Sequence, residues 1–172
     1  VASTANIASA GLVIGDVITV SRIGATPQRL VVANYDSSRA WNAAGVTGGS
    51  NAQAGVNNFN HLTTNGNTSY GTIKAFCVEI SEAFPNDPIT YTMVALTNVP
   101  EENPPYNMTA SQSLMMQDLY SRYYADVIDY TNDGGSWATT ADEAAAFQLV
   151  IWEISHENFT DTSNLATMKS QL

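Results

Sequence analysis

Apolar positions along the chain fall into two regimes. Through the first hundred residues they come as short β-branched and aromatic runs: Leu12–Ile14 and Val17–Val20 around Gly15-Asp16, Arg29–Tyr35 after Pro27, Tyr70–Ile80, and Ile89–Thr97. Such residues fit a pleated, half-buried surface, so each run predicts a strand, and Gly15-Asp16 predicts a turn or bulge. Pro85-Asn86-Asp87-Pro88 supplies turn chemistry between the last two runs. Residues 36–69 are rich in Asn, Gly, Ser and Ala and predict a long loop with a short strand near Val56–Leu62. A loop of that length inside a compact domain is usually functional or mobile.

Beyond residue 105 the period becomes helical. Thr109-Ala110-Ser111-Gln112 is a capping box, in which the Thr hydroxyl serves a free amide and the Gln reaches back. The helix it opens runs to about Val127, with Leu114, Met115, Leu119, Tyr123 and Val127 at helical spacing. Tyr120, Tyr123 and Tyr124 read as helix core rather than as a sugar platform. Asn132-Asp133-Gly134-Gly135 breaks that helix. Thr140-Ala141-Asp142-Glu143 is a second capping box, with acids where the helix dipole favours them, and predicts a helix from about Ala141 to Glu157. Strands followed by helices imply an α+β fold: an antiparallel sheet or sandwich-like part with a helical part packed beside it. The expectation is a single domain over residues 1–172, strand-rich over 1–100 and helix-rich over 105–172.

Composition narrows the function. The chain has 172 residues and is only 13% charged, against about 25% in an average soluble domain. Its net charge is −10 and its pI is near 4.2. No basic footprint for nucleic acid exists. The longest apolar-rich run, Ala144–Ile154, carries Gln148 and Glu153 and falls short of the roughly 20 residues of a membrane span. The acids concentrate in residues 76–172, which reads as a solvated acidic face. A low-charge, Asn/Gly/Thr-rich acidic surface suggests an extracellular protein. The start at Val1 rather than Met suggests a removed leader or an excised segment.

Two residues stand out. Cys77 is the only cysteine, so no internal disulfide is available to it. Strand alternation puts Phe76, Val78 and Ile80 on one face and Ile73, Ala75, Cys77 and Glu79 on the other. A small buried hydrophobe is the ordinary role of such a thiol. Gln148 sits on a helix face with Ala144, Ile151, Trp152 and Ser155, a stripe apolar apart from Gln148 and Ser155. A buried carboxamide must find partners or lose about 1–3 kcal/mol per unmet group. Its ordinary role is to cap a strand edge or hold a buried water.

Taken together, Phe76-Cys77-Val78 and, 71 positions later, Phe147-Gln148-Leu149-Val150-Ile151-Trp152 resemble the bacterial thioester domains of surface adhesins. The same motifs are similar to secreted, sorting-tagged proteins of environmental bacteria. The resemblance covers about residues 70–157. Phe147 stands where the family often has Thr, and Val150 where it often has Ala. The resemblance implies that Cys77 and Gln148 condense, with loss of ammonia, into an internal thioester. Phe76, Phe147, Ile151 and Trp152 would surround that bond and keep water out, Trp152 packing over it. It further implies a secreted, bacterial cell-surface protein that reacts once, without turnover and without a cofactor. Its partner would be an amine-bearing (or hydroxyl-bearing) surface protein or polysaccharide of a host or neighbouring cell.

A thioester is a stored electrophile, because a thiolate leaves readily when an amine attacks. The pairing would also account for the odd Cys and the odd Gln in one step. The alternative expectation is a non-covalent extracellular structural module, or a carbohydrate-binding one using the 36–69 loop with Trp41 and Tyr70. No metal is expected: His61 and His156 are far apart, and Asp129–Gly134 lacks the glutamate of a calcium loop at its twelfth place, where Thr140 stands. Glu79 is a minor candidate for a proton acceptor near Cys77.

Overall fold

The computed structural model describes residues 11–33, 50–69, 71–78, 88–99, 107–128 and 137–156. Glu79, Ile80, Trp41, Tyr70, the Pro85–Asp87 turn, the Asn132–Gly135 break and the Asp129–Gly134 segment lie outside them. The fold is α+β, as the two regimes of the sequence imply. Among the described residues, five strands, β1 (Val17–Ala33), β2 (Ser50–Thr64), β3 (Asn67–Thr68), β4 (Thr72–Ala75) and β5 (Ile89–Thr92), form one curled antiparallel sheet. Two helices, α1 (Ala110–Ile128) and α2 (Trp137–His156), accompany it. β1 lies between β5 and β2, and the free edge of β2 takes β3 and then β4.

The two long strands differ from the sequence expectation. β1 merges the Val17 and Arg29 runs into one strand of 17 residues that passes through Pro27, while Leu12–Ile14 lies outside any strand and Ile14-Gly15 is turn. β2 is a 15-residue strand that extends the short strand expected near Val56–Leu62 well into the expected loop. Its polar residues are used across the sheet: the Asn58 amide donates to the Thr26 carbonyl at 2.8 Å. Its parity is that of a strand buried on both faces. Ala54 and Val56 pack toward the helices, while Phe59 joins Ile18, Val20, Ile73 and Ala75 in a separate cluster. Register shifts after Thr19, Arg22 and Ala25 bend this ribbon.

Asn65-Gly66 makes the tight β2–β3 turn, with φ of 49° and 79°, the left-handed pair that a two-residue hairpin demands. Asn65 also braces the start of β1. Its side-chain oxygen accepts from the Val17 amide at 2.9 Å and its amide donates to Asp16 at 2.8 Å. The Val13 amide, together with Asn65, holds the Asp16 carboxyl below the usual carboxylate range. A lowered folded pKa contributes stability that is present above the unfolded value, about 3.9, and lost as pH falls through the folded one. The Tm gap between wild type and Asp16→Asn is therefore constant above about pH 4 and closes in acid; a gap undiminished at the acid limit contradicts this brace.

The α1 capping box forms as expected. The Gln112 amide donates to Thr109 Oγ1 at 3.2 Å, and Gln112 Oε1 accepts from the Thr109 amide at 2.9 Å. The buried face of α1 is the expected one only in part, since Tyr120, Tyr124 and Val127 are buried as read. Leu114 and Tyr123 are exposed, and Gln112, Ser113, Met116, Tyr120, Tyr124 and Val127 face inward. The stacked Tyr120–Tyr124 pair, 5.2 Å between centroids, carries more ring area inward than the leucine stripe would. Helix α2 starts at Trp137, so Thr140 lies within it rather than capping it. β5 ends at Thr92, and Leu96–Asn98 forms a 3₁₀ turn instead of continuing the strand.

Candidate functional site

β4 ends at Ala75, and Phe76 makes one further bridge. Cys77 therefore sits just past the strand rather than inside it. Leaving the ladder exposes the backbone groups of residues 77 and 78, which must be satisfied elsewhere. Helix α2 does this with the two polar residues of its apolar face. Gln148 Oε1 accepts from the Cys77 amide at 2.9 Å, and Gln148 Nε2 donates to the Cys77 carbonyl at 2.6 Å. Two turns on, the Ser155 hydroxyl donates to the Val78 carbonyl at 3.1 Å. The helix face read from sequence is thus the contact face: Ala144, Gln148, Ile151, Trp152 and Ser155 are all buried, and Gln148 and Ile151 have no exposed surface.

The chemistry-bearing residues come together. The Gln148 carboxamide is hydrogen-bonded to both backbone groups of the residue that carries the only thiol, and Cys77 itself is half-buried. Phe76 and Phe147, their chain neighbours, pack ring to ring at 4.7 Å. Tyr120 meets the edges of both rings, at 6.4 Å and 5.2 Å. Ile151 joins Phe76 and Phe147 in the same core. Tyr120 and Tyr124, read from sequence as helix core, form walls of this cluster, which their spacing of four on one helix allows. Burial pushes the Tyr124 hydroxyl up to about 12. It stays neutral and donates to the Lys74 carbonyl at 3.2 Å, while Lys74 Nζ caps α1 at the Ile128 carbonyl, 2.9 Å away.

Trp152 belongs to a neighbouring cluster with Ala54 and Ala145, which wedges α2 against β2. The residue is 2% exposed and its Nε1 has no hydrogen-bond partner. Gln112 locks the far end of α2 by donating to the Ile154 and Ser155 carbonyls. His61 is buried on β2 and hydrogen-bonds Thr64 Oγ1 at 2.8 Å, a local contact. The side chain of His156 lies outside the described residues. Among the described residues no three His, Cys, Asp or Glu side chains cluster as metal ligands, and no helix is long and apolar enough to cross a membrane. No family model, curated protein or solved structure matches the chain.

Proposed function

We propose that Cys77 and Gln148 form an internal thioester and that the domain is a single-use covalent binder of amine-bearing (or hydroxyl-bearing) targets at a bacterial cell surface. The observation that carries this reading is the buried Gln148 carboxamide held on both backbone groups of Cys77. A thiol and an acyl donor so placed need no diffusional encounter, and fixed geometry of this kind is worth several kcal/mol of barrier. The Phe76–Phe147 pair beside them restricts water, which a stored electrophile requires.

The same two hydrogen bonds also favour a second reading, a purely structural clamp that satisfies the backbone where β4 ends. Intact mass decides between them. A thioester makes the purified protein lighter than its sequence by one ammonia, and methylamine converts Gln148 to its N-methyl amide, one CH2 heavier than the sequence mass. Full sequence mass with a thiol that titrates in denaturant leaves only the clamp.

Cys77→Ala is expected to abolish the mass deficit and the adduct yet unfold cooperatively at a lower temperature. The backbone bonds to Gln148 do not involve sulfur, so the fold persists. The cross-link it removes is worth on the order of 4 kcal/mol in the chain-entropy account of a 71-residue separation. Calorimetry beside intact mass checks both halves; a variant that is unfolded at room temperature would make Cys77 mainly a packing residue.

A further inference from the structure

The Gln148 carboxamide is chemically what a thioester becomes when ammonia opens it. Its position therefore records where the acyl oxygen and the attacking or departing nitrogen sit at one end of the reaction. The oxygen is on the Cys77 N–H at 2.9 Å, and the nitrogen is on the Cys77 C=O at 2.6 Å. Among the described residues, both side-chain hydrogen bonds of Gln148 go to this one residue. We infer that the peptide backbone of Cys77 is itself the catalytic element: its N–H stabilises the oxyanion, and its C=O selects nucleophiles that keep a hydrogen on the attacking atom. The inference rests on the thioester reading and deepens it.

The oxygen side follows from geometry. The Cys77 N–H already donates to the carboxamide oxygen at 2.9 Å, and an oxyanion donor must keep such a distance to the place where the charge develops. When Cys77 Sγ bonds to the Gln148 carbonyl carbon, the N–H, the acyl oxygen, that carbon, Sγ, Cβ and Cα close into a small ring. In that ring the oxygen is syn to Cβ across the carbon–sulfur bond, the arrangement thioesters prefer. The N–H contact can thus persist from carboxamide to thioester and strengthens as charge builds on the oxygen between them.

The nitrogen side fixes the proton accounting. In formation, Sγ attacks the carboxamide carbon, the thiol proton passes to Nε2, the carbon–nitrogen bond breaks, and ammonia leaves from the Cys77 carbonyl. In opening, a primary amine attacks at that same place. Its nitrogen bonds to the acyl carbon, the carbon–sulfur bond breaks, and one amine proton ends on sulfur. The other stays on nitrogen and is donated to the Cys77 carbonyl. A secondary amine or an alcohol has only one hydrogen to give up. After attack it presents a bare nitrogen or oxygen to that carbonyl, an acceptor facing an atom with nothing to donate. A lost hydrogen bond at a site this buried costs on the order of 10-fold in rate.

Ethylamine and dimethylamine test this, being isomers of similar basicity that differ in the number of N–H hydrogens. Isopropylamine, bulkier than either, keeps both hydrogens. Rates of adduct formation on the wild-type protein are followed by intact mass and divided by rates for a small thioester in the same buffer. The expected result is that ethylamine and isopropylamine both exceed dimethylamine by about 10-fold or more after this division. Equal normalised rates for ethylamine and dimethylamine overturn the role of the carbonyl. If isopropylamine falls with dimethylamine, crowding sets the selectivity and the inference is again overturned. A separate failure, absence of the ammonia deficit in the untreated protein, overturns the thioester itself.

Discussion

Gln148→Glu is expected to lose the ammonia deficit and about 3 kcal/mol or more of stability at neutral pH. The substitution changes one atom group and almost no volume. Glutamate can still accept from the Cys77 amide, but its second oxygen replaces a nitrogen that donates to the Cys77 carbonyl from 2.6 Å. An ionised carboxylate there opposes an acceptor with an acceptor, in a position with no exposed surface. Both effects favour the neutral acid, so the folded pKa of the introduced carboxyl rises above its unfolded value, about 4.3. The penalty is then present at neutral pH and shrinks as pH falls through the raised folded pKa, where an O–H can donate to the Cys77 carbonyl. The Tm of the variant should therefore climb toward wild type on moving from about pH 8 to pH 5. Gln148→Ala removes both bonds without adding charge, so its deficit should be flat over the same range. A Gln148→Glu protein that tracks wild type throughout would mean that the carboxamide is not clamped on Cys77.

The candidate pair is legible in the sequence because each member breaks a local rule. A thiol without a second cysteine and a carboxamide on an otherwise apolar helix face are both misfits, and the structure makes them neighbours. Ser155 breaks the same rule on the same face and proves to serve the adjacent carbonyl. The helix face itself follows from its period of 3.6 residues. What the period cannot give is the partner. That Cys77 lies past the end of β4, with backbone groups to satisfy, depends on where the ladder stops, and that is set by β2.

β2 is also where sequence reasoning fails most. Only a short strand near Val56–Leu62 is expected within a long loop, because the many asparagines compete for backbone hydrogen bonds. In the sheet that capacity is turned to cross-strand use, as with Asn58 on the Thr26 carbonyl. Small Ala54 and Gly55 add to the loop-like composition, yet Ala54 is fully buried against Trp152 and Ala145. Helix α1 is legible in part, since Tyr120, Tyr124 and Val127 are buried as read while Leu114, Met115 and Tyr123 are exposed. Leucines and tyrosines offer two competing faces about one residue apart, and periodicity ranks the aliphatic one equally. The tyrosine face prevails because Phe76 and Phe147 present ring surfaces to it. That choice depends on a strand and a helix far away in the chain.

Gly55→Ala should be among the most damaging single-methyl changes in the sheet. A Cβ at Gly55 would lie 2.2 Å from the Pro27 carbonyl oxygen and 2.6 Å from Gln28 Cα. Both are backbone atoms of β1, at the register shift between Ala25 and Gln28, so no side chain can swing aside. The ribbon must open, at a cost of about 3 kcal/mol or more, which corresponds to a drop of roughly 10 °C in Tm for a chain of this size. Gly24→Ala is the control. Gly24 has a similar backbone, φ 147° against 158° for Gly55, but a Cβ there meets nothing within 4 Å. Its substitution reads conformational strain alone, on the order of 1 kcal/mol. The excess at Gly55 then measures the close approach of the two strands, and equal effects would refute it. Opening the ribbon also moves Ala54, against which Trp152 packs one turn from Gln148. The Gly55→Ala protein should accordingly lose whatever protection Cys77 and Gln148 enjoy. Thiol labelling should accelerate if the pair is a clamp, or the ammonia deficit should be lost by hydrolysis if it is a thioester. Gly24→Ala should leave both unchanged.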